Sequence, residues 1–243
     1  MQRICIVIPA RYASTRFPGK LLKPLGDKSI LGHVYQRCLE VKLATKVLIA
    51  TDDKLIANHC VENDMDYLMT SVEHVSGTDR IAEAMRSLES KFDYVINVQG
   101  DEPFVSAKEI TSLINLLTVQ KAEIATLYHT ININRVHSDP NKVKLVTDNN
   151  KRVLYFSRSP IPASRSGELP LEYKIHLGLY GFKSTTLQDL TALSVSKLEK
   201  IEMLEQLRWI EAGYSIHANE VNYKGFGIDT EADYFTALEM IDQ

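Results

Sequence analysis

A basic loop near the start of the chain carries residue types that suit polyphosphate binding. The segment PARYASTRFPGK (Pro9–Lys20) places Arg11, Arg16 and Lys20 close together, and residues 1–26 contain five basic side chains and no acidic one. Guanidinium, ammonium and backbone N–H groups all form charge-assisted hydrogen bonds with phosphate oxygens. The segment therefore predicts a phosphate-binding loop, and a solvated basic loop is the alternative.

Carboxylates in two later segments are candidate metal ligands. Asp101 lies in NVQGDEP (Asn97–Pro103), directly after an apolar run, and an aspartate in this position suits Mg²⁺. Gln99 in the same segment offers an amide that can bind the edge of a base. Asp229 in GIDTEAD (Gly227–Asp233) is a possible second carboxylate. An ordinary polar turn is the alternative for NVQGDEP, whereas GIDTEAD taken alone favours a loop aspartate near a helix cap.

Two further motifs admit a structural and a functional interpretation. In HVSGTDR (His74–Arg80), Gly77 permits close backbone approach and Thr78 is predicted to cap a helix whose N-terminus would favour an anion. From this segment alone, a plain helix cap with Asp79 in the first turn is the favoured interpretation. His176 lies in an apolar predicted strand, where a buried core histidine is the alternative to a ligand contact.

The elements that must position these residues are predicted from hydrophobic patterning. Continuous apolar runs rich in β-branched residues alternate with amphipathic helical patterns in the first half of the chain, which predicts an α/β domain with a mostly parallel sheet. Open sheets of this kind bind ligands at the carboxyl ends of their strands. The predicted strands are Arg3–Ile8, Lys46–Ala50 and Tyr94–Val98, and the predicted helices begin after Ser29, after Asp52 or Asp53, and at Thr78.

The second half of the chain is less regular, with several short strands. We predict one domain over residues 1–243, with an inserted antiparallel subregion at roughly 125–220. The predicted strands there are 124–133, 143–146, 153–156 and 173–182, followed by helices over 196–211 and 230–241, with a loop over 157–170.

Composition and charge exclude several classes of protein. The chain has 243 residues and a net charge of -3, whereas a general nucleic-acid binder is usually basic. No apolar run approaches the roughly 20 residues that a membrane-spanning helix needs. Cys5, Cys38 and Cys60 are widely spaced and lie within apolar patterns, so we expect reduced, buried thiols and a cytoplasmic location.

Together these motifs resemble the 3-deoxy-manno-octulosonate (Kdo) cytidylyltransferase family, the CMP-Kdo synthetases. The elements STRFPGK and QGDEP are similar to those of a wider class of sugar-activating nucleotidyltransferases, whereas YFSR, HLGLYG and LEQLR resemble the Kdo enzymes specifically. The resemblance runs from Ile4 to about Ala237. It implies a Rossmann-like nucleotidyltransferase fold, a homodimer, CTP and Kdo as substrates, Mg²⁺ as cofactor, and a product used in lipopolysaccharide synthesis. It also implies that the inserted subregion serves sugar binding and dimerisation.

The same resemblance implies roles for individual residues. Arg11, Arg16 and Lys20 would contact the CTP phosphates, and Asp101 and Asp229 would bind the metal; Arg11, Lys20, Asp101 and Asp229 are then the expected catalytic residues. The nucleotide side of the pocket would be formed by Ser76, Gly77, Thr78, Arg80 and Gln99. The sugar-acid pocket would be formed by Arg158, His176, Tyr180, Glu205 and Gln206.

The inferred reaction is attack of the anomeric hydroxyl of Kdo on the α-phosphorus of CTP, with pyrophosphate as the leaving group. Positioning and charge stabilisation do most of the work in such a transfer, and no side-chain general base is evident. A cytidylyltransferase for an 8-amino Kdo analogue or another sugar acid is an alternative. A regulator that senses CTP without chemistry is a second, against which the Asp101/Asp229 pair argues.

Overall fold

The protein divides into two compact units along its sequence. The computed structural model describes residues 2–14, 16–132, 139–165 and 172–241. One unit comprises residues 1–111 and 224–243, and the other, residues 112–223, is inserted into it along the chain. Position 133 of a predicted strand and positions 166–170 of the predicted loop lie outside the described residues. The sugar-binding and dimerisation roles of the inserted region remain predictions.

Strands and helices alternate through the first unit. The last helix of this stretch, α4, contains the boundary between the two units. The elements, in chain order, are β1 (Ile4–Ala10), β2 (Pro24–Leu25), β3 (Lys28–Ser29), α1 (Ile30–Leu39), β4 (Lys46–Thr51), α2 (Lys54–Glu62), β5 (Tyr67–Met69), α3 (Gly77–Ser87), β6 (Tyr94–Asn97) and α4 (Ala107–Thr118).

The main sheet of the first unit is parallel. Strand β1 pairs with β4 on one side and with β6 on the other, and β4 also pairs with β5. Every residue of β1 is buried, as expected for a continuous apolar strand that is covered on both faces. Ala10 pairs with Thr51 at the ends of their strands, and Asn97 ends β6 opposite Val7. The segments that follow these three strands therefore emerge at the same edge of the sheet.

Side-chain caps begin the helices of this unit. Ser29 Oγ accepts a hydrogen bond from Gly32 N, and the Asp53 carboxylate accepts from Leu55 N and Ile56 N, so both predicted caps are confirmed. The cap predicted at Thr78 is wrong. Ser76, in extended backbone, accepts from Asp79 N and begins α3 two residues earlier.

The second unit contains mostly antiparallel pairings. Strand β7 pairs antiparallel with β10 and parallel with β11, and β8 pairs antiparallel with β9 and β10. This pattern, with the parallel sheet of the first unit, confirms the predicted α/β class. The remaining elements are β7 (Ile124–Asn132), β8 (Lys144–Thr147), β9 (Val153–Ser157), β10 (Glu172–Lys183), α5 (Ser184–Thr191), α6 (Lys197–Glu202), α7 (Gln206–Glu211), β11 (Ile216–Glu220) and α8 (Glu231–Ile241), the last of these in the first unit.

The helix predicted over 196–211 is wrong as a single element. Met203 has a φ of 53° and ends α6 in the left-handed region, and α7 begins at Gln206. A salt bridge of 2.6 Å between Glu199 and Arg208 connects the two short helices. The apolar residues at 198, 201, 204 and 207, whose helical spacing predicts one apolar stripe, therefore do not lie on a single helix, and Ile201 is exposed rather than buried.

No helix within the described residues combines the length and apolarity needed to cross a bilayer.

Candidate active site

The basic loop after β1 folds back on itself through Gly19. This glycine has a φ of 68°, in the left-handed region that side chains adopt only with strain. Gly19 N donates to Tyr12 O at 3.1 Å, and an added Cβ would meet the Tyr12 ring at 3.2 Å. The turn reverses the chain so that Lys20, the next residue, points into the unit.

A cavity of about 310 Å³ lies at the carboxyl edge of the parallel sheet. It is formed by the basic loop, the start of α3 and the segment after β6, and it falls in the size range of small-ligand pockets. Its lining consists of Pro9, Arg11, Ala13, Ser14, Arg16, Lys20, Leu21, Gly77, Gln99, Gly100 and Asp101. The structure thus brings together six of the residues that the sequence analysis selected.

Lys20 is the most enclosed charge of this site. Only 7% of the residue is exposed, and its Nζ donates to Asp101 Oδ2 at 2.6 Å, to Asp229 Oδ1 at 3.0 Å and to Ile228 O at 2.7 Å. Burial alone would lower the pKa of Lys20, but the two carboxylates outweigh it and the pKa is raised. The lysine therefore stays protonated at neutral pH and holds the two carboxylates together.

Main-chain contacts place Asp229 beside Asp101. Ile228 N donates to Asp101 O at 2.8 Å, and the Asp233 carboxylate accepts from the amide of Asp229 at 3.1 Å. A Cβ on Gly227 would lie 2.9 Å from Glu102 Oε1, so a larger residue there would displace the end of that flexible side chain. Two aspartates far apart in sequence are thereby held by backbone geometry rather than by their side chains alone.

The paired aspartates fit a hard divalent cation. Both carboxylates contact Lys20 Nζ, so their oxygens lie close enough together to share one cation, here the ammonium itself, and Arg16 Nη2 also contacts Asp229 Oδ2 at 3.1 Å. Among the residues that the structure describes, no group of three or more His, Cys, Asp or Glu is placed to bind a metal. Mg²⁺ commonly takes only one or two protein carboxylates together with substrate phosphates, so two aspartates are sufficient.

Arg11 and Gln99 flank the cavity with defined partners. Arg11 Nη2 donates to the main-chain oxygen of His74 at 2.6 Å, and burial lowers the pKa of Arg11, with Arg80 nearby adding to the effect. Gln99 Nε2 donates to Asn97 Oδ1 at 3.3 Å. His74 was not selected from the sequence, because only its backbone oxygen takes part and no side-chain pattern reports that.

The start of α3 contributes unequally to the cavity. Gly77 lines it, and a Cβ on Gly77 would approach Pro9 to 3.5 Å and Gln99 Nε2 to 3.9 Å. Ser76 caps the helix, and Thr78 is buried. The predicted nucleotide-side segment is therefore close to the basic loop, with Gly77 as its point of contact.

Arg80 is fully buried and does not line the cavity. Its guanidinium donates to Asp52 Oδ2 at 2.7 Å and to Thr70 Oγ1 at 2.5 Å, while Nε is buried without a hydrogen-bond partner. Asp52 follows β4 and Thr70 follows β5, so Arg80 ties two strand ends to α3. The structure places Arg80 as support for the site, and direct nucleotide contact remains only a prediction.

Within the second unit, His176 and Tyr180 form part of an aromatic cluster. Their ring centroids are 5.3 Å apart, and His176 also packs edge-on against Phe156 at 5.0 Å. His176 Nε2 lies 3.0 Å from Thr126 Oγ1, and burial lowers the pKa of His176 to about 3. The imidazole is therefore neutral at physiological pH, so it can donate or accept a hydrogen bond but not carry charge.

The Tyr180 hydroxyl is a buried polar group without a hydrogen-bond partner. The residue is 7% exposed, its ring packs edge-on against Trp209 at 5.1 Å, and burial together with the charge of Glu205 raises the pKa of the phenol. Gln206, next to Glu205, is also buried. A buried hydroxyl of this kind usually finds a partner, and a polar ligand would supply one.

The Arg158 guanidinium forms hydrogen bonds with main-chain oxygens of the second unit. Its guanidinium donates to Glu202 O at 2.7 Å, Pro140 O at 2.8 Å and Met203 O at 3.2 Å. The Glu202 carboxylate in turn accepts from Arg158 N at 2.9 Å, and Lys144 donates to Arg158 O at 2.5 Å. Sequence reasoning did not select Glu202 or Lys144, because their role appears only when distant segments meet.

Comparison with known proteins identifies relatives over the full length of the chain. The model of the cytidylyltransferase family matches residues 5–216. The chain is 40% identical over 242 residues to the 3-deoxy-manno-octulosonate cytidylyltransferase of Flavobacterium johnsoniae, covering 98% of each. It is 44% identical over 255 residues to the protein of that name from Thermodesulfovibrio yellowstonii, covering 100% of this chain and 99% of the relative.

One solved structure is similar to this chain in both sequence and fold. It is described as a CMP:2-keto-3-deoxy-manno-octonic acid synthetase complexed with CTP. The two share 37% identity and a TM-score of 0.95, over 100% of this chain and 99% of the other. The similarity therefore extends over both units and is not limited to the cavity.

Proposed function

The chain belongs to the cytidylyltransferase family, and we propose that it activates 3-deoxy-manno-octulosonate (Kdo): CTP and Kdo give CMP-Kdo and pyrophosphate. The observation that carries this proposal is the convergence of Lys20, Asp101 and Asp229 beside a cavity lined by Arg11 and Arg16. Cations for a polyphosphate and carboxylates for a metal are the parts that nucleotidyl transfer needs. The product would serve lipopolysaccharide synthesis, as its sugar acid indicates.

The basic loop would bind the triphosphate and stabilise the leaving pyrophosphate. Arg16 is more than half exposed at the mouth of the cavity and can turn from Asp229 to a phosphate oxygen. Arg11 is held by the His74 carbonyl and lines the cavity, so its remaining N–H groups would be available to phosphate oxygens. Lys20 is fixed by three partners and adds a positive charge that does not need to move.

Asp101 and Asp229 would hold Mg²⁺. When bound, this ion supplies charge neutralisation on the triphosphate and lowers the pKa of a coordinated hydroxyl. Divalent metal use is typical of nucleotidyltransferases, and the choice of Mg²⁺ rests on the oxygen-only donor set. The fixed Lys20 ammonium beside both carboxylates limits the negative charge that they would otherwise accumulate.

The sugar acid would be bound by residues of the second unit. His176 is neutral and can orient a hydroxyl without transferring a proton, and the unpartnered Tyr180 hydroxyl is a further donor. Glu205 and Gln206 lie at the start of α7, next to the Trp209 ring that packs on Tyr180. Arg158 supports this unit through its three carbonyl contacts.

Pyrophosphate release is the direct test of this function. Purified protein, CTP and Mg²⁺ are mixed with Kdo, with the 8-amino analogue, or with no sugar, and pyrophosphate and the CMP-sugar are quantified. Kdo-dependent release of both products is expected. Preference for the 8-amino analogue would support the alternative substrate, and CTP binding without release with either sugar would indicate a CTP sensor; each result would contradict the proposal.

An Arg16→Ala variant is expected to raise the apparent KM for CTP and to leave the KM for Kdo nearly unchanged. The expected increase is about tenfold, because one charge-assisted hydrogen bond contributes on the order of 1.5–3 kcal/mol and Arg16 is solvent-screened. Steady-state kinetics with each substrate varied in turn measures both constants. Arg37→Ala removes an exposed arginine with an ion pair on α1 and serves as the control. A change confined to the Kdo dependence would contradict the phosphate assignment.

A His176→Gln variant is expected to raise the KM for Kdo, with an unchanged KM for CTP and near-normal melting. Glutamine keeps a hydrogen-bonding group near Thr126 but alters the shape that an imidazole presents. His129→Gln is a matched control, since His129 is another partly buried histidine of the same unit. Kinetics and a melting curve on each variant decide the matter. A lowered melting temperature with normal Kdo kinetics would identify a core histidine instead.

A homodimer in the cytoplasm completes the proposal. Val195, Ile201 and Met203 of the second unit are large apolar residues that are at least half exposed, and their burial against a second copy would stabilise the dimer. The three cysteines are buried and unpaired, which suits a reducing compartment. Sedimentation of the purified protein measures the oligomeric state.

A further inference from the structure

The loop between β5 and α3, residues 70–76, has little apolar anchoring. Its two valines, Val72 and Val75, are 74% and 85% exposed. Hydrophobic burial therefore contributes little to the conformation of this loop, and its polar contacts must hold it. We call it the 70–76 loop.

Glu83, in the second turn of α3, forms polar contacts with this loop. One carboxylate oxygen, Oε2, accepts from Ser71 N at 2.9 Å and also contacts His74 Nε2. The side chains of His74 and Glu83 are only 18% and 29% exposed. The Ser71 hydrogen bond, with the His74 contact, lowers the pKa of Glu83, so the carboxylate is ionised at neutral pH.

The main-chain carbonyl of His74 connects the 70–76 loop to the cavity. Arg11 Nη2 donates to His74 O at 2.6 Å, and Arg11 lines the cavity. Glu83 and His74 do not line it. The ring of His74 is thus fixed by Glu83 while its main-chain oxygen fixes Arg11, and a continuous series of polar contacts joins α3 to the ligand-facing guanidinium.

We propose that Glu83 is a positioning residue for nucleotide binding, acting through His74 on the Arg11 guanidinium. A free arginine side chain loses conformational entropy when it binds a phosphate. The hydrogen bond to the His74 carbonyl restricts Arg11 before the ligand binds, so the entropy lost on binding is smaller. The inference rests on the proposed function, since it takes CTP as the ligand of Arg11.

The test is a double-mutant cycle read by CTP affinity. Titration calorimetry with CTP and Mg²⁺, without sugar, is carried out on the wild type and on Glu83→Ala, Arg11→Ala and the double variant. Glu83→Ala is expected to weaken CTP binding about tenfold, the scale of one charge-assisted hydrogen bond. On the Arg11→Ala background, the same change is expected to have almost no further effect, because residues that act as one unit are not additive. Glu83→Gln keeps a side-chain oxygen that can accept from Ser71 N and from His74 Nε2, and it should restore most of the affinity.

Glu109 supplies a matched structural control. It accepts from Ser106 N at 2.8 Å and contacts Ser106 Oγ ahead of its own helix, as Glu83 does, but lies outside the cavity lining. Glu109→Ala should lower the melting temperature without changing CTP affinity. If Glu83→Ala leaves CTP affinity unchanged, or weakens it equally with and without Arg11, the positioning role of Glu83 is overturned and the proposed function is unaffected. If the wild type fails to bind CTP, the proposed function is overturned and this inference with it.

Discussion

An Asp101→Asn variant is expected to keep its fold and to lose nearly all turnover. The asparagine oxygen can still accept from Lys20 Nζ, and Lys20 keeps Asp229 and Ile228 O as partners, so the local structure has little reason to change. The proposed metal site would lose one of its two carboxylates, and a ligand of that kind stabilises the transition state by several kcal/mol, or roughly a thousandfold in rate. Initial rates of pyrophosphate release measure the loss, and circular dichroism checks the fold.

The control for this variant is Asp66→Asn, which removes the same charge from an exposed ion pair with Lys46. It should leave turnover within about twofold, because exposed ion pairs contribute little. The Asp101→Asn assay is repeated across a Mg²⁺ titration. Activity near that of the wild type at saturating Mg²⁺ would contradict the assignment of Asp101 as a metal ligand.

Lys20→Met is expected to reduce both turnover and stability. Methionine matches the length of the lysine stem but removes the charge that Asp101 and Asp229 share. Turnover should fall about 10²–10³-fold, as when one preorganised donor is removed from an active site. The free energy of unfolding should fall by less than the roughly 3–5 kcal/mol of a fully buried ion pair, because both carboxylates retain contact with solvent.

Added Mg²⁺ separates the two effects of this change. A cation bound between the aspartates of Lys20→Met should recover melting temperature but not turnover, since the fixed positive charge of Lys20 beside the proposed triphosphate site is still missing. Lys46→Met is the control for loss of a lysine ion pair outside the site. Recovery of turnover by Mg²⁺ alone would show that Lys20 only holds the carboxylates and does not act on the triphosphate.

The local sequence pattern was sufficient to predict the three longest strands and two helix starts of the first unit. The apolar runs that predict strands correspond to β1, β4 and β6, and the caps at Ser29 and Asp53 begin helices as expected. These features depend on a few consecutive residues, on the periodicity of burial and on one side-chain hydrogen bond. The sequence by itself therefore determined the α/β class and the strand ends from which the basic loop and Asp101 follow.

The local sequence pattern failed to predict where two helices begin or end. Ser76 and Thr78 are both acceptable caps, and the extended backbone at Ser76 decides in its favour. The stripe through 198–207 has helical spacing, yet the left-handed Met203 divides it into two helices joined by the Glu199–Arg208 ion pair. Neither outcome is encoded in spacing alone, because both depend on which backbone conformation the surrounding structure stabilises.

Several residues of the candidate site could be selected from the sequence, but their geometry could not be predicted from it. Lys20 is separated from Asp101 by 81 residues and from Asp229 by 209, and no local rule relates positions so far apart. The tertiary structure brings one oxygen of each aspartate to within 3.0 Å of Lys20 Nζ. The parallel register aligns the strand ends, and the hydrogen bond from Ile228 N to Asp101 O brings the last part of the chain to the same edge of the sheet. The support given by Arg80 and Glu83 likewise depends on long-range packing of α3 against strand ends and loops, which spacing in one sequence does not report.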